Sequence, residues 1–250
     1  MLRILKELIS DVRLIIFPKH CFVCQRRLAP DENYLCAACT INLPLTNYQG
    51  KSGNPVERIF WGKVPIVRAN AYYHYYPQNG YAKLVTKLKY DAFTKVGIQL
   101  GRMMVKDLKH TDFFNDINLI IPVPLSKRRF KQRGYNQSTC IAEGIKQLTG
   151  LPIEEHHILR TINNPTQTQL NHYERALNVH NIFSLKQPVS STQQHPLTNK
   201  HVLLVDDVIT TGATLMTCAE CLAQVPNIKI SILCIAIAGH HGKGVPTTEE

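Results

Sequence analysis

The sequence predicts an α/β protein, a parallel-sheet domain with a small four-cysteine domain at its N-terminal end, and three observations predict it. Apolar runs rich in β-branched residues recur at 117–123, 202–205 and 228–238, each the length of a buried parallel strand and each followed or preceded by helical spacing. The run ending at Val205 leads into two adjacent carboxylates, Asp206 and Asp207. Val208 and Ile209 follow, then a turn of Thr210, Thr211, Gly212, Ala213 and Thr214 that opens a helical pattern through Leu215, Ala219, Leu222 and Ala223. Near the other end Cys21, Cys24, Cys36 and Cys39 fall as CxxC-x11-CxxC.

In chain order, residues 1–18 place Leu2, Leu5, Leu8, Ile9, Val12, Ile15 and Ile16 on one helical face that Pro18 ends. Arg3, Lys6, Glu7, Asp11 and Arg13 break the apolar centre that a signal peptide needs. The helix is expected to dock on the protein's own body, with a membrane surface or partner as the secondary reading. No transmembrane segment is expected, and the protein is expected in the cytoplasm, where thiols stay reduced.

Residues 19–45 form the expected zinc knuckle. Each CxxC puts two thiolates on one tight turn, and two such turns close a tetrahedral four-sulfur site suited to structural Zn²⁺. Iron–sulfur ligation is the weaker rival, and a disulfide pairing needs an oxidising compartment. Residues 46–65, with Gly50, Gly53, Pro55 and Gly62, read as a linker.

The main domain is expected over 66–239. Residues 67–76 read as one or two strands, and Tyr72, Tyr73, Tyr75, Tyr76 and Tyr81 as a buried face rather than a base-stacking platform. Tyr81, Leu84, Val85 and Leu88 space as a helix with Lys83, Lys87 and Lys89 on its wet face, and a second helix is expected over 96–108. A helix over 139–148, a weak strand at 157–160, a helix from Asn171, a short β-like stretch at 182–185 and a surface loop at 187–200 complete the pattern. Cys140, Cys218, Cys221 and Cys234 fall in apolar patterns and read as core. Residues 240–250 read as a disordered tail.

A Thr/Gly turn opening a helix after a strand presents backbone N–H groups and a positive dipole end to an anion. Paired carboxylates just upstream are spaced to accept hydrogen bonds from neighbouring sugar hydroxyls, so a 5′-phosphorylated ribose answers both halves. The alternative, a solvated turn beside a helix cap, suits either half alone but not the ordered string. After the strand at 117–123 comes a basic run, Lys127, Arg128, Arg129, Lys131 and Arg133, read as a loop on the same sheet edge as Asp206. There arginine can clamp a pyrophosphate bidentately or track a nucleic-acid backbone, where a bare surface charge run would do neither. A net charge of +11 agrees with a phosphorylated or polyanionic partner.

The string from His201 to Thr214 resembles the phosphoribosyl pyrophosphate motif of type I phosphoribosyltransferases. In order along the chain come the apolar helix ending in Phe17-Pro18, the CxxC…CxxC knuckle, Leu88-Lys89-Tyr90, Pro122-Val123-Pro124-Leu125 and Arg133-Gly134-Tyr135-Asn136-Gln137. A pattern of Gln167, Leu170, Arg175, Asn178 and Phe183 and the ribose-phosphate motif follow. Together they resemble the ComF family, the ComFC/GntX-type proteins with a double zinc knuckle fused to a phosphoribosyltransferase domain. The resemblance implies that Asp206 and Asp207 hold the ribose hydroxyls, that 208–214 wrap the 5′-phosphate, and that Mg²⁺ accompanies phosphoribosyl pyrophosphate. It also implies a role in natural competence, the uptake or use of external single-stranded DNA, with a DNA-uptake machinery partner. As an enzyme the protein would transfer a phosphoribosyl group, with Arg128 or Arg133 assisting the leaving pyrophosphate. The alternatives are a non-catalytic single-stranded-DNA-binding protein that uses the pocket for recognition or regulation, with Lys127, Arg128, Arg129, Lys131 and Arg133 on the DNA, and a nucleotide-salvage transferase. Two departures stand out: Gln25 follows Cys24 where a glycine is common, and the tail is longer than the family needs.

Overall fold

The computed structural model describes residues 18–90, 93–160, 182–186 and 194–238. The expected N-terminal helix, the helix from Asn171 with most of the Gln167–Phe183 pattern, and the tail lie outside the described residues. In order come α1 (Ala37–Ile41), α2 (Pro55–Arg58), β1 (Arg68–Tyr75), α3 (Ala82–Tyr90), α4 (Thr94–Leu108), β2 (Leu119–Pro122), α5 (Lys127–Arg133) and α6 (Gln137–Thr149). Then follow β3 (Ile158–Arg160), β4 (Phe183–Leu185), β5 (His201–Ile209), α7 (Ala213–Leu222) and β6 (Lys229–Ala238).

Four of the strands form one parallel sheet in the order β1-β6-β5-β2, while β3 and β4 pair antiparallel beside it. Alternation along β5 builds a core on each face. Leu203 and Val205 join Leu84, Leu88, Leu100, Met104, Ile141 and Ile145 from α3, α4 and α6. Val202 and Leu204 join Val56, Phe60, Leu215, Cys218 and Leu222 from the α2 and α7 side. Helices on both faces explain why the strands read as unbroken apolar runs.

β5 does not end at Val205, as its apolar run suggests, but continues through Asp206 and Asp207 to Ile209 opposite Ile237. β2, by contrast, stops at Pro122 opposite Val205. The two carboxylates therefore stand on a strand supported by β6 alone, with the other edge open where ligands gather in such sheets.

Residues 46–65 are built into the body, contrary to the linker reading. Thr46 donates its hydroxyl to the Ala71 carbonyl (2.6 Å) and its N–H to Tyr72, so 44–46 cover the edge of β1. Val56 and Phe60 are fully buried, and Asn54 caps α2 while donating to the Ala69 carbonyl (2.9 Å). The glycines and prolines that suggested a linker serve turns and a cap: Pro55, for example, opens α2. Within 187–200, likewise, Leu197 is buried rather than on a surface loop. Of the clustered tyrosines, Tyr73 and Tyr81 are core.

The basic run is the helix α5 rather than a loop. The Ser126 hydroxyl accepts from the Arg129 N–H, Gly134 in the left-handed region ends the helix, and Lys and Arg are good helix formers between them.

α4 crosses α6 in close contact through small residues. A Cβ at Gly144 would collide with the Ile98 carbonyl oxygen, and one at Gly101 with that of Ile141. This crossing sets the height of α6 and so of Gln137 and Ser138 at its start. Gly144→Ala is expected to destabilise the fold by about 1–3 kcal/mol despite alanine's better helix propensity. A urea midpoint equal to or above that of the parent would contradict the crossing.

Candidate functional site

The four thiols of Cys21, Cys24, Cys36 and Cys39 lie within 4.8 Å of one another, with Cys24 Sγ and Cys36 Sγ 3.8 Å apart. A tetrahedral zinc with Zn–S of about 2.3 Å requires S···S edges of about 3.8 Å, so the cluster fits a single ion shared by the two knuckles. N–H groups already point at the sulfurs: Cys36 donates to Cys21 Sγ and Cys39 to Cys36 Sγ, both at 3.4 Å. The Cys39 N–H, with Arg26 assisting and burial opposing, pulls the Cys36 thiol down to about 6, as a metal-binding thiolate requires. Glu32 braces the two turns, accepting from the N–H groups of Ala29 (2.8 Å) and Ala37 (2.7 Å) and from Arg26 Nη2 (2.6 Å). Gln25 stands at φ 64°, the left-handed region that glycine adopts freely, so a glutamine there carries backbone strain. The knuckle is docked on the main body, with the Tyr81 hydroxyl donating to the Cys39 carbonyl (3.0 Å) and Phe22 edge-on to Phe93.

The second site is a cleft of about 380 Å³ at the carboxyl end of the sheet. Asp206, Asp207, Val208, Thr210 and Thr214 line it, and a smaller hollow follows the loop through Thr211, Gly212 and Ala213. Gly212, at φ 78°, begins α7 as its cap, and a Cβ there would lie 2.5 Å from Ile59 Cγ2, so only glycine lets this turn close. Of the basic run, Arg129 and Arg133 line the cleft, whereas Lys127, Arg128 and Lys131 are exposed and lie outside it. Arg128 is thus not brought to the carboxylates.

Sequence reasoning missed four contributors. Lys89, expected on the wet face of α3, pairs with Asp207 (Nζ–Oδ2 3.0 Å). Ser138 donates its hydroxyl to Asp206 Oδ1 (3.0 Å), an atom that also accepts from the Asp207 N–H (2.9 Å). Gln137 and Arg160 complete the lining. The signal for Lys89 was present in the Leu88-Lys89-Tyr90 step. Arg160 had none, because it stood at the end of a weak strand.

Burial first, and the neighbouring Asp207 charge second, push Asp206 up to about 7. An acid whose folded pKa stands above its ordinary 3.8 costs the fold stability as pH rises between those two values, and the cost is complete above the higher one. Asp206→Asn keeps the Oδ1 acceptor and removes that cost. It is expected to stabilise the ligand-free chain at pH 8 and to do so much less at pH 4, close to the ordinary value of 3.8, where most of the cost has not yet built up. Urea midpoints of parent and variant at the two pH values check this, and an equal difference at both would contradict it.

No family model matches the chain. The DNA utilization protein YhgH of Escherichia coli strain K12 is 28% identical over 218 residues, covering 86% of this chain and 88% of that protein. Competence protein F of Haemophilus influenzae is 27% identical over 237 residues, covering 89% and 98%. Competence protein ComFC of Bacillus subtilis is 32% identical over 106 residues, covering 42% and 38%. Among solved structures, UMP synthase of Leishmania donovani overlays with a TM-score of 0.33 at 16% identity, over 62% of this chain and only 24% of that one. A hypoxanthine phosphoribosyltransferase of Staphylococcus aureus gives 0.31 at 15%, over 59% and 64%. Those overlays are too loose to carry an argument, and the fold stands on its own strand pairing. Among the described residues no helix is long and apolar enough to cross a membrane.

Proposed function

We propose that the chain is a ComF-type competence protein that binds phosphoribosyl pyrophosphate, or a related ribose phosphate, with Mg²⁺ and acts in the uptake or use of external single-stranded DNA. The observation that carries this reading is one cleft in which an acidic pair and a threonine-rich phosphate loop meet four cationic side chains from three other elements: Lys89, Arg129, Arg133 and Arg160. Asp206 and Asp207 accept from the ribose hydroxyls. The loop from Thr210 to Thr214 takes the 5′-phosphate on its N–H groups and hydroxyls. Lys89 and Arg133 neutralise the diphosphate. The carboxylates are hard oxygen donors of the kind that suits Mg²⁺, which would bring charge neutralisation to the diphosphate when bound. The knuckle holds structural zinc, and the protein acts in the cytoplasm, where its thiols stay reduced.

The outer face of α5 supports the DNA half. Lys127, Arg128 and Lys131 are exposed and do not line the cleft, Phe130 is 52% exposed among them, and Tyr90, 62% exposed, lies 5.3 Å beneath the Arg133 guanidinium. Cations interleaved with exposed rings suit a single strand, the cations on phosphates and the rings on bases. Lys127→Ala/Arg128→Ala/Lys131→Ala is expected to weaken single-stranded DNA binding and to flatten its log K against log salt slope by about 0.7 for each phosphate no longer neutralised. Phosphoribosyl pyrophosphate affinity should stay the same, since none of the three lines the cleft. Fluorescence anisotropy with a labelled oligonucleotide over a salt series checks it. Unchanged DNA affinity and slope in the triple variant would remove DNA from this face.

A further inference from the structure

The chain has a single tryptophan, and it belongs to neither the cleft nor the cysteine cluster. Trp61 follows α2 and is 58% exposed. Its ring is seated on the Gly53 turn, where a Cβ would stand 3.4 Å from the ring carbon Cη2. The same turn holds a cation over the ring. Arg58 Nε donates to the Gly53 carbonyl (2.8 Å), and the guanidinium carbon lies 5.9 Å from the ring centroid, within cation–π range. Glu57 fixes the turn from inside, accepting from the N–H groups of Gly53 (2.6 Å) and Ala69 (3.3 Å). It is the one carboxylate between residues 51 and 67, and it is buried. The outer surface of this segment therefore carries exposed Lys51, Arg58 and Lys63 with no acid among them, and none of the three pairs with a carboxylate among the described residues. The surface is separate from the outer face of α5, since α2 packs on β1 at one edge of the sheet while α5 follows β2 at the other.

We propose that Trp61, with Arg58, Lys51 and Lys63, is a stacking platform for single-stranded DNA, a base lying against the exposed indole and the three cations on the neighbouring phosphates. A duplex keeps its base faces stacked inside, and an acidic peptide would engage the cations but leave the ring without a partner. A single strand offers both the phosphates and the free base faces that this surface matches. The platform rests on the single-stranded-DNA reading and gives it a contact surface away from α5.

Because Trp61 is the chain's single tryptophan, its intrinsic fluorescence reports this surface alone. The zinc-replete full chain is titrated with a single-stranded oligothymidylate, unlabelled for tryptophan emission and dye-labelled for anisotropy. Emission is expected to be quenched with the same half-saturation as the anisotropy rise. Trp61→Ala should weaken binding about fivefold or more, as the loss of one stacked base allows, and Trp61→Phe should recover most of it. Arg58→Ala/Lys63→Ala should flatten the log K against log salt slope by about 0.7 for each phosphate no longer neutralised. All these side chains are exposed, so urea midpoints should stay near the parent's, and the quenching in the parent needs no variant. Anisotropy that rises while emission stays constant and Trp61→Ala binds as the parent does would overturn the platform and leave DNA to α5. Anisotropy that does not rise in the parent would sink the single-stranded-DNA reading itself, and the platform with it. Self-association of the parent that Trp61→Ala abolishes, with DNA affinity unchanged, would give the surface to a second copy of the chain and likewise overturn the proposal.

Discussion

Cys36→Ser is expected to empty the zinc site and unfold the knuckle while the parallel sheet survives. Apart from its cysteines, the knuckle buries only Leu28, Leu35 and Leu43, which is too little to order it without a metal. A four-thiolate zinc contributes about 10–16 kcal/mol in small zinc modules, and that energy is folding energy because the unfolded segment holds no site. Cys36 is the right residue to replace, since its thiol is the one most readily ionised and its backbone N–H and side chain join both turns. Elemental analysis should find about one zinc per chain in the parent and none in the variant, with the remaining knuckle thiols becoming reactive to a disulfide reagent. The sheet should persist at a lower melting temperature, because Tyr81 and Phe93 lose the surface that covers them. A variant that keeps stoichiometric zinc, or whose knuckle thiols stay protected, would contradict the assignment.

What the sequence made legible was local. The string from Val202 to Thr214 lies on consecutive residues, so strand, acidic pair, loop and helix start can be read in order. The four cysteines were equally legible, because a metal site is specified by spacing. What the sequence did not give away arrives through topology. Lys89 follows the pattern of a wet helix face and is a surface lysine until the β1-to-α3 connection brings it over β5 to Asp207. Ser138 and Gln137 look like the opening of an ordinary helix, and only the glycine crossing of α4 on α6 sets them against the cleft. The stretch at 46–65 misled for another reason. Its glycines and prolines mark turns whether or not the chain between them is packed, and Val56 and Phe60 are too few to show periodicity. Carboxylates likewise argue against a strand interior, and β5 carries Asp206 and Asp207 only because β6 extends past the end of β2.

The central claim is that Asp206 and Asp207 hold a ribose phosphate, and thermal melting of parent and Asp206→Asn/Asp207→Asn protein with phosphoribosyl pyrophosphate and Mg²⁺ tests it most directly. The double variant keeps shape and volume, and the Oδ1 atoms that accept from Ser138, Asp207 and Val208 N–H or O–H groups remain acceptors. What it removes is the paired negative charge facing the sugar hydroxyls and metal. A ligand at a hundredfold excess over its Kd stabilises the folded parent by about 2.7 kcal/mol. For a chain of this size that raises the melting temperature by about 5–10 °C. The account predicts this shift in the parent, its dependence on Mg²⁺, and its disappearance in the double variant, whose ligand-free melting temperature should be no lower than the parent's at pH 8. A full shift in the double variant, or none in the parent, would contradict it.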